Sequence, residues 1–261
     1  MVWENILVSK DSEGILTIKI NRPDKMNAMN VKTAGEICAV MTEAEYDSTA
    51  KVVVVTGAGR AFCAGGDIDE MPRDCTPDVV HEWIEPSRKL ALQALNMAKP
   101  IICAVNGYAL GAGFSLALLG DLIIASEKAR FGPVFINVAL TPDTGTAYLL
   151  PRMVGLRKAK ELAFSGEIID AREAEQIGLV NKVVSAETFE EEVERLARKI
   201  AKGPTWAIGL TKKLLNKSYE TDLPSLLELE IHCLAQVMMS EDFKEGVNAF
   251  LEKREAKFKG R

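Results

Sequence analysis

Two glycine-rich segments carry the residues whose types and spacing suit chemistry at an oxyanion. In Asn106-Gly107-Tyr108-Ala109-Leu110-Gly111-Ala112-Gly113-Phe114-Ser115-Leu116, a glycine turn runs straight into the first turn of an apolar helix. A helix start carries unpaired N–H donors and the positive end of the macrodipole, and glycines admit a ligand oxygen to the backbone without a Cβ in the way. The bland alternative is that Gly111, Ala112 and Gly113 only allow close helix–strand packing. The second segment, Gly57 to Ile68, follows the strand-like run Lys51–Thr56. A dinucleotide fingerprint needs glycine where Phe62 stands, and a P-loop needs Gly-Lys-Ser/Thr, so neither phosphate motif fits. Instead Gly65-Gly66 precedes Asp67, a favoured helix cap, which leaves a second exposed N–H at Gly66. Two such turns, each offering one amide, predict a two-donor cradle.

The elements that must hold these turns follow from periodicity. Strands are expected at Ile6–Val8 and Ile15–Ile20, joined as a hairpin through Glu13-Gly14, then at Lys51–Thr56, Ile101–Val105, Leu122–Ala125 and Leu179–Val184. Helices are expected near 30–46, 79–97 and 114–119. Strands alternating with helices indicate an α/β class. Beyond Ser185 the pattern turns helical: Phe189, Val193, Leu196 and Ile200 stripe one helix, Pro204 and Pro224 open two more, and Phe243, Val247, Phe250 and Leu251 stripe a fourth. We divide the chain into a core with the site, residues 1–200, and a C-terminal helical region, 201–261. That region is too small to bury its own apolar stripes, so it must pack on the core or on another subunit.

At 261 residues and 48% hydrophobic, the chain can bury a substantial core. A formal charge of −5 argues against a nucleic-acid surface. The five cysteines (Cys38, Cys63, Cys75, Cys103, Cys233) form no Cys-x-x-Cys pair and read as reduced thiols in a cytoplasmic setting. His81 and His232 are the only histidines, and no metal-ligand spacing is visible. Met1-Val2-Trp3-Glu4-Asn5 lacks the pattern of a secretory signal. The apolar stretch from Pro100 to Gly120 is interrupted by Asn106-Gly107 and closed by Asp121, so strand, turn and helix explain it better than a bilayer span.

Several motifs in order resemble the enoyl-CoA hydratase/isomerase (crotonase) superfamily: Asn21-Arg22-Pro23, Lys25-Met26-Asn27-Ala28, Phe62 to Ile68, Asn106 to Gly113, and Glu245-Gly246-Val247-Asn248-Ala249-Phe250. The resemblance implies a spiral of ββα units followed by a helical trimerisation region, with homotrimers that often pair into hexamers. It implies an acyl-CoA thioester substrate, whose coenzyme A is part of the substrate and not a separate cofactor. The thioester oxygen would lie between the amides of Gly66 and Ala112. The Lys25–Ala28 loop, with Met26, and the Ala64–Ile68 turn, with Asp67, would contact the pantetheine and adenine, and Lys25 the phosphates.

Hydratases of this family place two glutamates where this chain has Ser115 and Phe135, so the water-activating pair is gone. Asp143, in Thr141-Pro142-Asp143-Thr144-Gly145, matches the acid of the isomerase branches, closest to the ring isomerases of phenylacetate degradation. One carboxylate can take a proton from C2 and return it at C4 while two amides hold the enolate. Phe114, Phe135 and Tyr148 would line a dry acyl pocket that raises the base's pKa. Asp143 also precedes a predicted helix, where aspartate is a favoured N-cap. Two other readings stay open: a hydratase using Asp69, Glu70 or Glu85, and an acyl-CoA-binding homologue without catalysis.

Overall fold

The computed structural model describes residues 3–260; Met1 and Val2 of the N-terminal stretch read above, and Arg261, lie outside the described residues. The first half runs β1 (Ile6–Lys10), β2 (Ile15–Ile20), α1 (Val31–Tyr46), β3 (Val52–Gly57), β4 (Ala61–Cys63), α2 (Pro77–Asn96) and β5 (Ile101–Val105). There follow β6 (Tyr108–Leu110), α3 (Ala112–Leu118), β7 (Leu122–Ser126), β8 (Arg130–Gly132), α4 (Thr146–Val154), α5 (Leu156–Ser165) and β9 (Ile169–Asp170). The chain then closes with α6 (Ala171–Gln176), β10 (Lys182–Val184), α7 (Phe189–Ala201), α8 (Thr205–Lys217), α9 (Leu223–Met238) and α10 (Glu241–Leu251).

These strands make two sheets, a six-stranded one in the order β1-β2-β3-β5-β7-β10 and a four-stranded one in the order β4-β6-β8-β9. The β1–β2 hairpin is antiparallel, with Ile6 opposite Ile20, and every later neighbour in the large sheet is parallel. The β-branched runs explain this, because strands buried on both faces read as continuous Val/Ile stretches. One face packs on α1 and α2 through Ile37, Met41, Leu90 and Ala94. The other takes α7 through Phe189, Val193 and Ala197 onto Val52, Val54 and Ile102.

The small sheet is what periodicity does not show. Its strands are two or three residues long; β4 and β6 fall inside the two segments read as glycine-rich turns, and β8 and β9 in stretches assigned no element. The expected strand Leu179–Val184 shortens to Lys182–Val184, since Leu179 and Val180 instead donate their N–H groups to the Ala174 carbonyl. Parallel pairing of β4 with β6 sets the two glycine-rich turns side by side. Helix α8 is pinned to the core by Lys212, which is buried, pairs with Asp121 at 2.8 Å and donates to the Ala94 carbonyl at 3.0 Å. No helix among the described residues is long and apolar enough to cross a membrane.

Candidate active site

The two turns abut: a Cβ built on Gly111 would stand 3.7 Å from the Gly65 Cα. At the first turn, Gly66 forms an isolated parallel bridge with Met29. The Met29 N–H donates to the Gly65 carbonyl and the Asp67 N–H to the Met29 carbonyl, both at 2.7 Å. Successive peptide groups alternate in direction, so the Gly66 N–H faces away from that bridge. Among the described residues it has no backbone acceptor. At the second turn, Gly111 (φ 49°, ψ −118°) caps α3 without a side chain and leaves Ala112, the first helical residue, with its N–H likewise unpaired. Gly113 does something else. A Cβ there would lie 1.9 Å from the Cys63 carbonyl oxygen, so this glycine serves the close packing of α3 on β4. Packing and donation are thus divided between neighbours.

Gly66 and Ala112 both line a cavity of about 260 Å³, together with Ala64, Gly65 and Gly111. Its walls are mainly apolar: Met29, Ile68, Met71, Trp83, Ile84, Val134, Phe135, Val138, Leu140 and Ile168. Asp143 is the one ionisable side chain lining it among the described residues. Burial raises the Asp143 pKa above the ordinary carboxylate value, and the Thr144 hydroxyl, which donates to Oδ1 at 2.9 Å, pulls part of the way back. The capping alternative for this carboxylate is not realised. Gly145, at φ 88°, occupies the N-cap of α4, and no side chain caps that helix. Asp143 contributes its main-chain carbonyl there, accepting the Thr146 N–H at 2.9 Å.

Ser115, where the family's hydratases carry a glutamate by resemblance, is completely buried. Its Oγ lies 2.6 Å from Thr146 Oγ1 and 3.4 Å from the Asp143 carbonyl. Helix α3 is therefore tied to the loop that carries the acid. Phe135 sits on a short 3-10 turn over Val134–Val138 and faces the cavity.

Other expected residues are placed elsewhere. Phe114 does not line the cavity but points into the main core, fully buried, because the helical period carries it away from the Ala112 side. Tyr148 faces a different surface cleft, where its hydroxyl donates to Glu220 at 2.8 Å and Arg152 stacks over its ring. Asp67 is buried and held by Arg22 at 2.7 Å and Lys25 at 3.3 Å. Burial works to raise its pKa, and the two cations outweigh this and hold it below the usual range. Lys25 also pairs with Asp69. Met26 and Ala28 lie off the cavity and supply carbonyls, the first to the Ala64 N–H and the second to Arg22. With Asn27 bonded to the Ala58 and Ala61 carbonyls, the Asn21–Ala28 motif clamps the Gly66 turn in place. Ala64 and Ile68 do line the cavity, Ile68 largely exposed at its rim.

Asp69, Glu70 and Glu85 do not reach the cavity among the described residues. They are engaged by Lys25, by Arg22 with Asn30, and by Arg88 respectively. Cavity residues that sequence reasoning missed include Trp83, Ile84 and Ser87 on α2, with Asn137 and Thr144. Cys63 and Cys103 are buried thiols pushed up to about 11 and about 12 by desolvation.

Comparison with known proteins identifies the family and agrees with the fold. Residues 10–261 match the family model described as Enoyl-CoA hydratase/isomerase. The chain is 37% identical over 261 residues to the 1,2-epoxyphenylacetyl-CoA isomerase of Escherichia coli K12, covering 98% of each chain. It is 38% identical over 259 residues to the crotonyl-CoA hydratase of Syntrophomonas wolfei, covering 99% of each. An enoyl-CoA hydratase structure from Bacillus anthracis superposes with a TM-score of 0.93 at 33% identity, over 99% of this chain and all of that one. With its crotonase fold, its paired amides and these relatives, the chain belongs to the enoyl-CoA hydratase/isomerase family of acyl-CoA enzymes.

Proposed function

We propose that this protein is an enoyl-CoA isomerase that moves a carbon–carbon double bond through a thioester enolate, with Asp143 as its one proton carrier. The observation that carries this reading is that a single carboxylate, and no other ionisable side chain of the described residues, lines the cavity beside the two unpaired amides. Asp143 takes the proton from C2. The C–H electron pair moves into the thioester, and the resulting oxyanion is held by the Gly66 and Ala112 N–H groups. The oxyanion pair then reforms the carbonyl, the C1–C2 double-bond pair becomes the 2,3 double bond, and the former 3,4 pair takes the proton from Asp143 at C4. Each oxyanion donor contributes about 3–4 kcal/mol of transition-state stabilisation. Hydration needs a second group to position and activate water, and Ser115 and Phe135 supply none.

The test is Asp143→Asn with a 3-enoyl-CoA in deuterated water. Loss of about 10²- to 10⁴-fold in conversion and in C2 exchange is expected for the folded variant. Undiminished turnover, or a 3-hydroxyacyl product from the unaltered protein, overturns the isomerase assignment. Tight acyl-CoA binding without any exchange favours a non-catalytic homologue.

We also infer assembly into a homotrimer or dimer of trimers, as the resemblance implies. The exposed Leu223, Leu227, Ile231 and Leu234 on α9 and Phe250 on α10 support this, since such apolar faces mark association surfaces. Light scattering is expected to give the mass of three or six copies; a monomer at micromolar concentration overturns it.

A further inference from the structure

Resting on the reading above, we propose that Thr144 is a positioning residue that ties down Oδ1 of Asp143 and leaves Oδ2 as the single oxygen that carries the proton. Thr144 Oγ1 donates to Oδ1 at 2.9 Å, and no donor among the described residues is placed at Oδ2. The backbone shows that this contact is imposed. Thr144 has φ 49°, followed by Gly145 at φ 88°. Gly145 occupies the left-handed region freely, whereas a β-branched residue there is a conformational outlier that persists only when its surroundings over-determine it. A glycine or asparagine at 144 would meet the turn with less strain, so the threonine is not explained by the turn alone. Its hydroxyl is the group that the strained backbone delivers to the carboxylate.

Fixing one oxygen matters for a shuttle. The proton must leave C2 and arrive at C4 on one face of the acyl group, and a carboxylate free to rotate would present either oxygen at either carbon. Thr144 also favours the ionised form of the acid, against burial. Burial pushes the pKa of the acid up and the Thr144 hydrogen bond pulls it down. The elements around the acid bring neutral groups: Ser115 and Thr146 from α3 and α4, Phe135 from the turn before it, and Gly66 from the facing loop. Removing the hydroxyl therefore has one electrostatic consequence, a higher pKa for Asp143.

Three variants test this: Thr144→Val, which keeps shape and branching, Thr144→Ser, which keeps the hydroxyl, and Thr144→Gly, which relieves the backbone. In C2-proton exchange, Val and Gly are expected to move the acid limb of the pH profile upward. The rate at a fixed pH on that limb falls about three- to tenfold, with KM little changed. Ser is expected to restore the profile. Carbon NMR titration of the Asp143 carboxyl, identified by its loss in Asp143→Asn, is expected to show the same upward displacement in Val. An unmoved titration in Val, or a Ser variant as impaired as Val, overturns the proposal. If Asp143→Asn retains full exchange, the isomerase reading falls instead, and the NMR titration still decides whether Thr144 acts on the carboxylate.

Discussion

Asp143 holds a tension between function and stability. A carboxyl whose pKa is raised on folding binds its proton more tightly in the folded state. Its contribution to stability is complete below the ordinary carboxylate pKa and is lost as pH climbs through the raised value. At neutral pH the charged form is held in an apolar cavity at the expense of the fold. Asp143→Asn removes that charge and keeps an acceptor for Thr144. It is therefore expected to raise the melting temperature at pH 7 but not at pH 3, while abolishing exchange. A variant that melts lower at pH 7 contradicts the desolvation argument. Gly66 and Ala112, by contrast, act through main-chain groups, so of the replacements at 112 only proline removes the donor itself.

Among elements, the tether between α3 and the loop before α4 decides whether amide and acid share one frame. Ser115 and Thr146 are completely buried and bonded to each other at 2.6 Å. Ser115→Ala leaves the Thr146 hydroxyl without that partner. This is expected to cost about 1–3 kcal/mol in denaturant unfolding, with kcat reduced more than KM is changed. The double variant Ser115→Ala with Thr146→Val is expected to recover much of that stability, since removing both polar partners is far less costly than removing one. A fully additive double variant argues against the tether. The same scale explains what could be read in advance. The large sheet and the two amide turns were legible because strand–glycine–helix grammar is local, and the acid loop through its motif. Trp83 and Ser87 were not, because they share a helical face with Leu90 and Ala94, and one stripe gives no sign of where core ends and cavity begins. Thr144 was hidden because no residue type announces a left-handed threonine. The small sheet was hidden because two or three residues show no period.

For the molecule as a whole, α2 is both scaffold and boundary. All its buried residues, Leu90, Ala91 and Ala94, lie in its C-terminal half, while Pro77 to Glu82 are exposed. Between the halves stands Pro86, which has no N–H to offer the Glu82 carbonyl. Trp83, Ile84 and Ser87, which wall the cavity, straddle that break. Hydrogen exchange is expected to be faster over residues 78–85 than over 90–96, and a bound acyl-CoA is expected to slow the first stretch selectively. Uniform protection along the helix would remove this expectation. One wall of the cavity is thus about two and a half turns of helix that hold no buried residue ahead of a proline, so a bound acyl chain is expected to quieten that end of the rod and leave the β-framework as it was.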